Sequence, residues 1–133
     1  MANVQFDAEG RDSKTYAPFK ISKGASDDYI VQFHDWEWLF ATYESDVVDA
    51  SIDGYYMNGP NVEGLVKAAI LSAGQDPENP GIFYNSEGDA CYIQFRDLDE
   101  AVRVAGLAAN MIKDRGTLLA MIRVSQDQGF DDG

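Results

Sequence analysis

The stretch from Asp97 to Asp114, DLDEAVRVAGLAANMIKD, limits the fold more than any other part of this chain. Asp97-x-x-Glu100 is a capping-box variant, and it opens a helix over about Leu98–Lys113. The polar stripe of that helix is narrow: Arg103, Gly106, Asn110 and Lys113, spaced by three and four. Leu98, Val102, Ala105, Ala109 and Ile112 lie to one side of it, and Val104, Leu107 and Met111 to another. A helix apolar over most of its girth has to be covered from more than one direction. The cover on one side is a last helix, TLLAMIRVSQ at 117–126; on the other it is a sheet.

The sheet is legible just before this helix. GIFYNSEGDACYIQF (81–95) alternates as a hairpin, with Ser86–Asp89 as its connection and Gly88 free to take a positive φ. Cys91, Ile93 and Phe95 share one face, Tyr92 and Gln94 the other. Nearer the start, YAPFKIS (16–22) and DYIVQFH (28–34) read as two strands joined by a turn at Gly24–Asp27. Trp36, Leu39, Phe40, Tyr43 and Val47 then fall at helical spacing behind Asp35 as N-cap. VVDASI (47–52) fits a strand ending at the Asp53-Gly54 turn as well as it fits more helix; the reading adopted is a short helix followed by a strand. Asn58-Gly59-Pro60 breaks the chain, and Pro60 suits the first position of a new helix, where a missing N–H costs nothing. Glu63 falls in the first turn of that helix, and Gly74 stops it. Hairpins mixed with helices, without regular βαβ alternation, give an α+β fold: a small antiparallel sheet built from hairpins, packed against two or three helices. Its 133 residues make one domain, with loose ends at about 1–15 and 127–133.

Charge narrows the function classes. There are 23 acidic residues against 10 basic ones, a formal −13. Nine of the acids fall between Gly24 and Val66, where there is no Lys or Arg. Such a field repels nucleic acid and anionic membrane, and it speeds encounter with a cationic partner. One cysteine, no apolar run of signal-peptide length at the start and no stretch near the ~20 apolar residues that span a bilayer fit a soluble protein of a reducing compartment, the cytoplasm.

Residues for chemistry are scarce. His34 is the only histidine, and no G-x-S-x-G elbow supplies a serine nucleophile. Cys91 sits mid-strand, where a cysteine packs rather than reacts. One Cys and one His cannot make a zinc site, and neither a calcium loop nor a phosphate-binding glycine motif occurs. The expectation is therefore a protein that is not an enzyme and holds no metal or cofactor.

What remains is a binding surface. HDWEWLFATYESD interleaves aromatic and acidic residues; Trp36 and Phe40 read as core, and Trp38, beside Glu37, as a contact residue. In DGYYMNG, Tyr55 and Tyr56 point to opposite sides of an extended segment, so one is free to be presented with Asp53 and Asn58. Glu87 and Asp89 add acidic charge at the hairpin connection. The expected partner-binding residues are thus Glu37, Trp38, Asp53, Tyr55, Tyr56, Asn58, Glu87 and Asp89.

In the order of PFKI, YIVQF, DGYYMNGPNVEGLVKAAI, IFYNSEGDACYIQF, LDEAVRVAGLAANMIKD and LLAMI, over about residues 16–125, the chain resembles the immunity protein 51 family of bacterial polymorphic toxin systems. It departs from that pattern at Pro60 and Asn61, where the family favours aromatic and acidic residues. The resemblance implies a non-catalytic protein that binds and neutralises a cognate toxin inside the producing cell. The alternatives are a small acidic regulatory or ligand-binding domain without a toxin partner, and an enzyme using two facing carboxylates.

Overall fold

The computed structural model describes residues 4–44 and 50–131. In chain order the elements are β1 (Arg11–Asp12), β2 (Lys20–Lys23), β3 (Tyr29–Phe33), α1 (Trp36–Thr42), β4 (Ser51–Ile52), β5 (Tyr55–Tyr56), α2 (Gly59–Ser72), β6 (Ile82–Tyr84), β7 (Cys91–Phe95), α3 (Leu98–Lys113) and α4 (Arg115–Gln128). The fold is α+β. Five strands form one antiparallel sheet in the order β1-β2-β3-β7-β6, and β4 and β5 form a separate two-stranded hairpin.

The central pair sets the architecture. Val31 lies opposite Ile93, and Phe33 opposite Cys91, so one face of the sheet is apolar. With Ile21 and Phe95 these side chains are fully buried. α3 crosses β2, β3 and β7, while α2 rests on β7 and packs against both α3 and α4. The narrow polar stripe of α3 has its consequence here: Ala101, Val104, Ala105, Ala108, Met111 and Ile112 are all buried, between the sheet on one side and two helices on the other. Asp97 caps α3 by accepting from the N–H of Glu100, and Asp114 caps α4 by accepting from the N–H of Thr117 (2.9 Å).

Several expectations change. The strand expected at 16–22 is β2 and begins at Lys20 rather than Tyr16, since Pro18 has no N–H to give a ladder, and a two-residue strand, β1, precedes it. Asn58 is the N-cap of α2, accepting from the N–H of Asn61, so Gly59 takes the first helical position and Pro60 the second. Glu63 consequently lies beyond the first turn, where it pairs with Lys67 one turn on (3.7 Å). Gly88 has no positive φ; in the β2–β3 turn it is Asp27 that takes one (59°). Gly74 does stop α2, with φ of 80°. Residues 47–49, the start of the strand expected at 47–52, and Val47 of the helical stripe lie outside the described residues.

The ends are held more firmly than their composition suggests. Asp12, buried in β1, accepts from the N–H groups of Gln5 (2.9 Å), Lys14 (3.0 Å) and Thr15 (3.0 Å). Phe6 stacks on Tyr29. At the other end α4 runs to Gln128, and Phe130 donates its N–H back to the carbonyl of Ser125. The expected loose ends, as far as they are described, are tied to the body of the domain.

Candidate interaction surface

Asp53 and Gly54 join β4 to β5 with φ of 52° and 76°, the left-handed pair that a two-residue hairpin turn requires. Both are exposed. The next two residues part company. Tyr55 is buried, its hydroxyl donating to the carbonyl of Asn61 (2.7 Å) and meeting Ser125 Oγ (3.0 Å). Burial pushes that phenol up to about 12, against the hydrogen bond from Ser125. Tyr55 is therefore a core residue, not a contact residue; alternation decides which of two adjacent tyrosines turns inward. Tyr56 is 52% exposed, and its carbonyl accepts from Asn61 Nδ2 (2.8 Å), so a fixed backbone presents a free ring.

The β6–β7 connection is seated against the start of α2. The N–H of Gly59 donates to the carbonyl of Gly88 (3.1 Å). A Cβ at Gly59 would stand 1.8 Å from the carbonyl oxygen of Glu87 and 2.2 Å from that of Ala90, so only glycine fits this approach. From the other side the indole N–H of Trp36, at the start of α1, donates to the carbonyl of Asp89 (2.8 Å). Two hydrogen bonds thus tie the beginnings of α1 and α2 to one loop. Exposed Glu37, Glu87 and Asp89 stand on these segments with half-buried Asn58, and the hairpin carrying Asp53 and Tyr56 leads directly into Asn58.

Trp38 stands apart. It is half-buried and meets Tyr43 edge-on (6.5 Å between ring centroids). Tyr43 donates its hydroxyl to the carbonyl of Ile112 and lies under the guanidinium of Arg115. Trp38 therefore faces the α3–α4 junction, not the loop, and Trp36, read as core, makes the link to Asp89. An indole N–H reaching a backbone carbonyl 53 residues away leaves no local signal in a sequence.

Charge sharpens the picture. Residues 24–95 contain thirteen acids and one base, Lys67, and so carry −12 of the chain's −13. Lys67 is spent internally, between Glu63 (3.7 Å) and Glu78 (3.5 Å) and over the ring of Tyr84 (4.4 Å). Every segment meeting at the Trp36–Asp89–Gly59 joint comes from this stretch.

Cys91 is fully buried, and burial pushes its thiol up to about 12, far from a reactive thiolate. His34 is exposed, with Nε2 3.3 Å from Lys20 Nζ. Among the described residues no group of three His, Cys, Asp or Glu side chains converges as a metal site, and no helix is long and apolar enough to cross a membrane.

A second feature escaped the sequence reading. The sheet face turned away from α2 and α3 carries Ser22, Ile30, Gln32, Tyr92 and Gln94, none of them fully buried. A broad hollow of about 740 Å³ opens there, lined in part by Asp27, Asp28, Phe83, Asn85, Gln94 and Arg96. A smaller one of about 240 Å³ continues it past Asn85 and Gln94 to Glu87. The signal for it was the outward half of each alternating strand. No family model, curated protein or solved structure matches the chain.

Proposed function

We propose that this protein is an immunity-type inhibitor: it binds a cognate toxin domain bearing a basic surface, inside the cell that makes both, and blocks it by occlusion, breaking and forming no covalent bond. One observation carries the reading. The thirteen-to-one acidic stretch folds so that the starts of α1 and α2 and the β6–β7 connection meet at a single cross-tied joint, with the β4–β5 hairpin leading into it. A dense negative field steers a basic partner into encounter. Rigid backbone under the contact residues reduces the ordering that binding would otherwise require.

Charge reversal tests it. Glu37→Lys, Asp53→Lys and Asp89→Lys alter exposed positions, so the fold should hold. Against the toxin domain encoded beside this chain, each should slow association roughly three- to tenfold at low salt, with the difference fading as ionic strength rises. Unchanged rates and an unchanged salt dependence in all three would remove this surface from the interface. Failure of any neighbouring toxin domain to bind the wild-type chain would remove the function. A ligand-binding domain is the second reading, favoured by the hollow of about 740 Å³; a metabolite retained in native mass spectrometry would decide for it.

A further inference from the structure

The two edges of the five-stranded sheet differ. β1 is two residues long and charged, Arg11 and Asp12, which are the usual means of discouraging an added strand. β6 is Ile82-Phe83-Tyr84, with neither charge nor proline. Its register places Phe83 opposite Gln94 and Tyr84 opposite Ile93. Asn85 donates its N–H to the carbonyl of Tyr92 (3.0 Å), so the hydrogen-bonded positions are 83 and 85, and the N–H and C=O of Tyr84 turn away from β7. Neither has a backbone partner among the described residues, while the N–H of Ile82 is taken by Asn79. Phe83, 42% exposed, stands beside this open edge with the Arg96 guanidinium 5.3 Å from its ring centroid.

The hollow next to this edge is acidic. Asp27 is exposed at its rim, Glu87 lies at its far end, and Arg96 is the one cation among the described residues that line it. Asp28 is 8% exposed, and its carboxylate accepts from the side-chain amide of Gln94 and the N–H of Ser26. We propose that β6 and this hollow take an extended, lysine- or arginine-bearing segment of a protein partner, added as a sixth strand at the β6 edge with a cationic side chain reaching Asp27 and Asp28. Strand addition supplies main-chain hydrogen bonds at Tyr84, and alternate side chains of the segment fall on Phe83 and into the hollow. A second copy of this chain is the weaker occupant, since it brings a further −13 to an acidic groove. This surface meets the acidic joint only at Glu87, so either can fail without the other.

The test is an amide-resolved NMR titration of the full chain with acetyl-Lys-Val-Arg-Val-Lys-amide, alongside its Glu-Val-Asp-Val-Glu counterpart. The cationic peptide should shift the amides of Asp28, Phe83, Tyr84 and Gln94 and slow hydrogen exchange at Tyr84, and the acidic peptide should not. Phe83→Ser and Asp27→Asn change exposed side chains, and asparagine tolerates the left-handed backbone at position 27 (φ 59°). Each should weaken the cationic peptide by roughly fivefold, on the scale of one good contact. Shifts confined to Glu37, Asp53 and Asp89 would overturn the proposal, as would equal binding of the acidic peptide. Concentration-dependent shifts at β6 without peptide would reassign the edge to a second copy, and a small molecule found in the hollow would reassign the groove to that ligand.

Discussion

Two stretches of this chain look alike as sequence, 4–15 and 53–59. Both are polar for much of their length, both carry glycine, and both are rich in turn formers. In the first, one swallowed carboxylate does the fastening: Asp12 gathers three backbone N–H groups and holds the leader against the sheet. In the second, the work is divided. Gly59 lets two pieces of backbone touch, Tyr55 fills a hole between α2 and α4, and Asp53, Gly54 and Tyr56 remain in solvent. A turn-rich composition therefore says that the chain bends. Whether the bend is locked depends on one or two side chains, or the lack of one, at the point of contact.

The largest expected effect is at the glycine contact. Gly59→Ala forces the Glu87–Ala90 backbone off the start of α2, and should cost about 3 kcal/mol, as overpacking of a tight site does. Gly54, five residues earlier, has nothing within 4 Å of a would-be Cβ; Gly54→Ala meets only the penalty of its left-handed φ, about 1 kcal/mol. Urea unfolding reads both as midpoint shifts at constant slope. Equal shifts for the two would mean that the joint is no tighter than the tip.

The carboxylate comes next. Burial opposes the ionised form of Asp12, but the hydrogen bonds from Gln5, Thr15 and Lys14 outweigh it and lower the pKa from 3.8 to about 2. A depressed folded pKa contributes stability above the unfolded value, and that contribution disappears as pH falls through the folded one. Asp12→Asn should therefore cost about 2 kcal/mol near neutrality, with the gap to wild type closing between pH 4 and pH 2. A gap that persists at pH 2 would show that shape, not charge, fastens the leader.

How much of this the sequence disclosed follows from the range of each interaction. β3, β7 and α3 were readable because alternation and helical spacing are local patterns sustained over five to sixteen residues. The caps at Asp35, Asp97 and Gly74 were readable because a cap acts within one turn. β1 and β5, two residues each, are too short for any period to register. The joint of Trp36, Gly59 and Asp89 depends on tertiary approach, so the sequence shows its acids but not the link between them, and does not tell Trp36 from Trp38 as the linking indole. The open β6 edge was hidden for the same reason: strand order, not strand sequence, decides which strand is last.

The smallest effects separate the neighbouring tyrosines. Tyr55→Phe removes the hydroxyl that serves the carbonyl of Asn61 and leaves fully buried Ser125 without that partner, which should cost about 1–2 kcal/mol. Tyr56→Phe takes a hydroxyl from a ring that is 52% exposed and should change stability by less than about 0.5 kcal/mol. Tyr56→Ser, which removes the ring, should be nearly as mild for the fold, because the position is held by its carbonyl bond from Asn61 and not by its side chain. The pair is informative because the two residues share type and hairpin and differ only in the side of the strand they occupy. If Tyr56→Ser unfolds the chain as readily as Tyr55→Phe, the second tyrosine is structural and the presented half of the hairpin contracts to Asp53 and Gly54. If it leaves stability intact but slows capture of a basic partner, the exposed ring is a contact, and the locked and free parts of this stretch divide between residues 55 and 56.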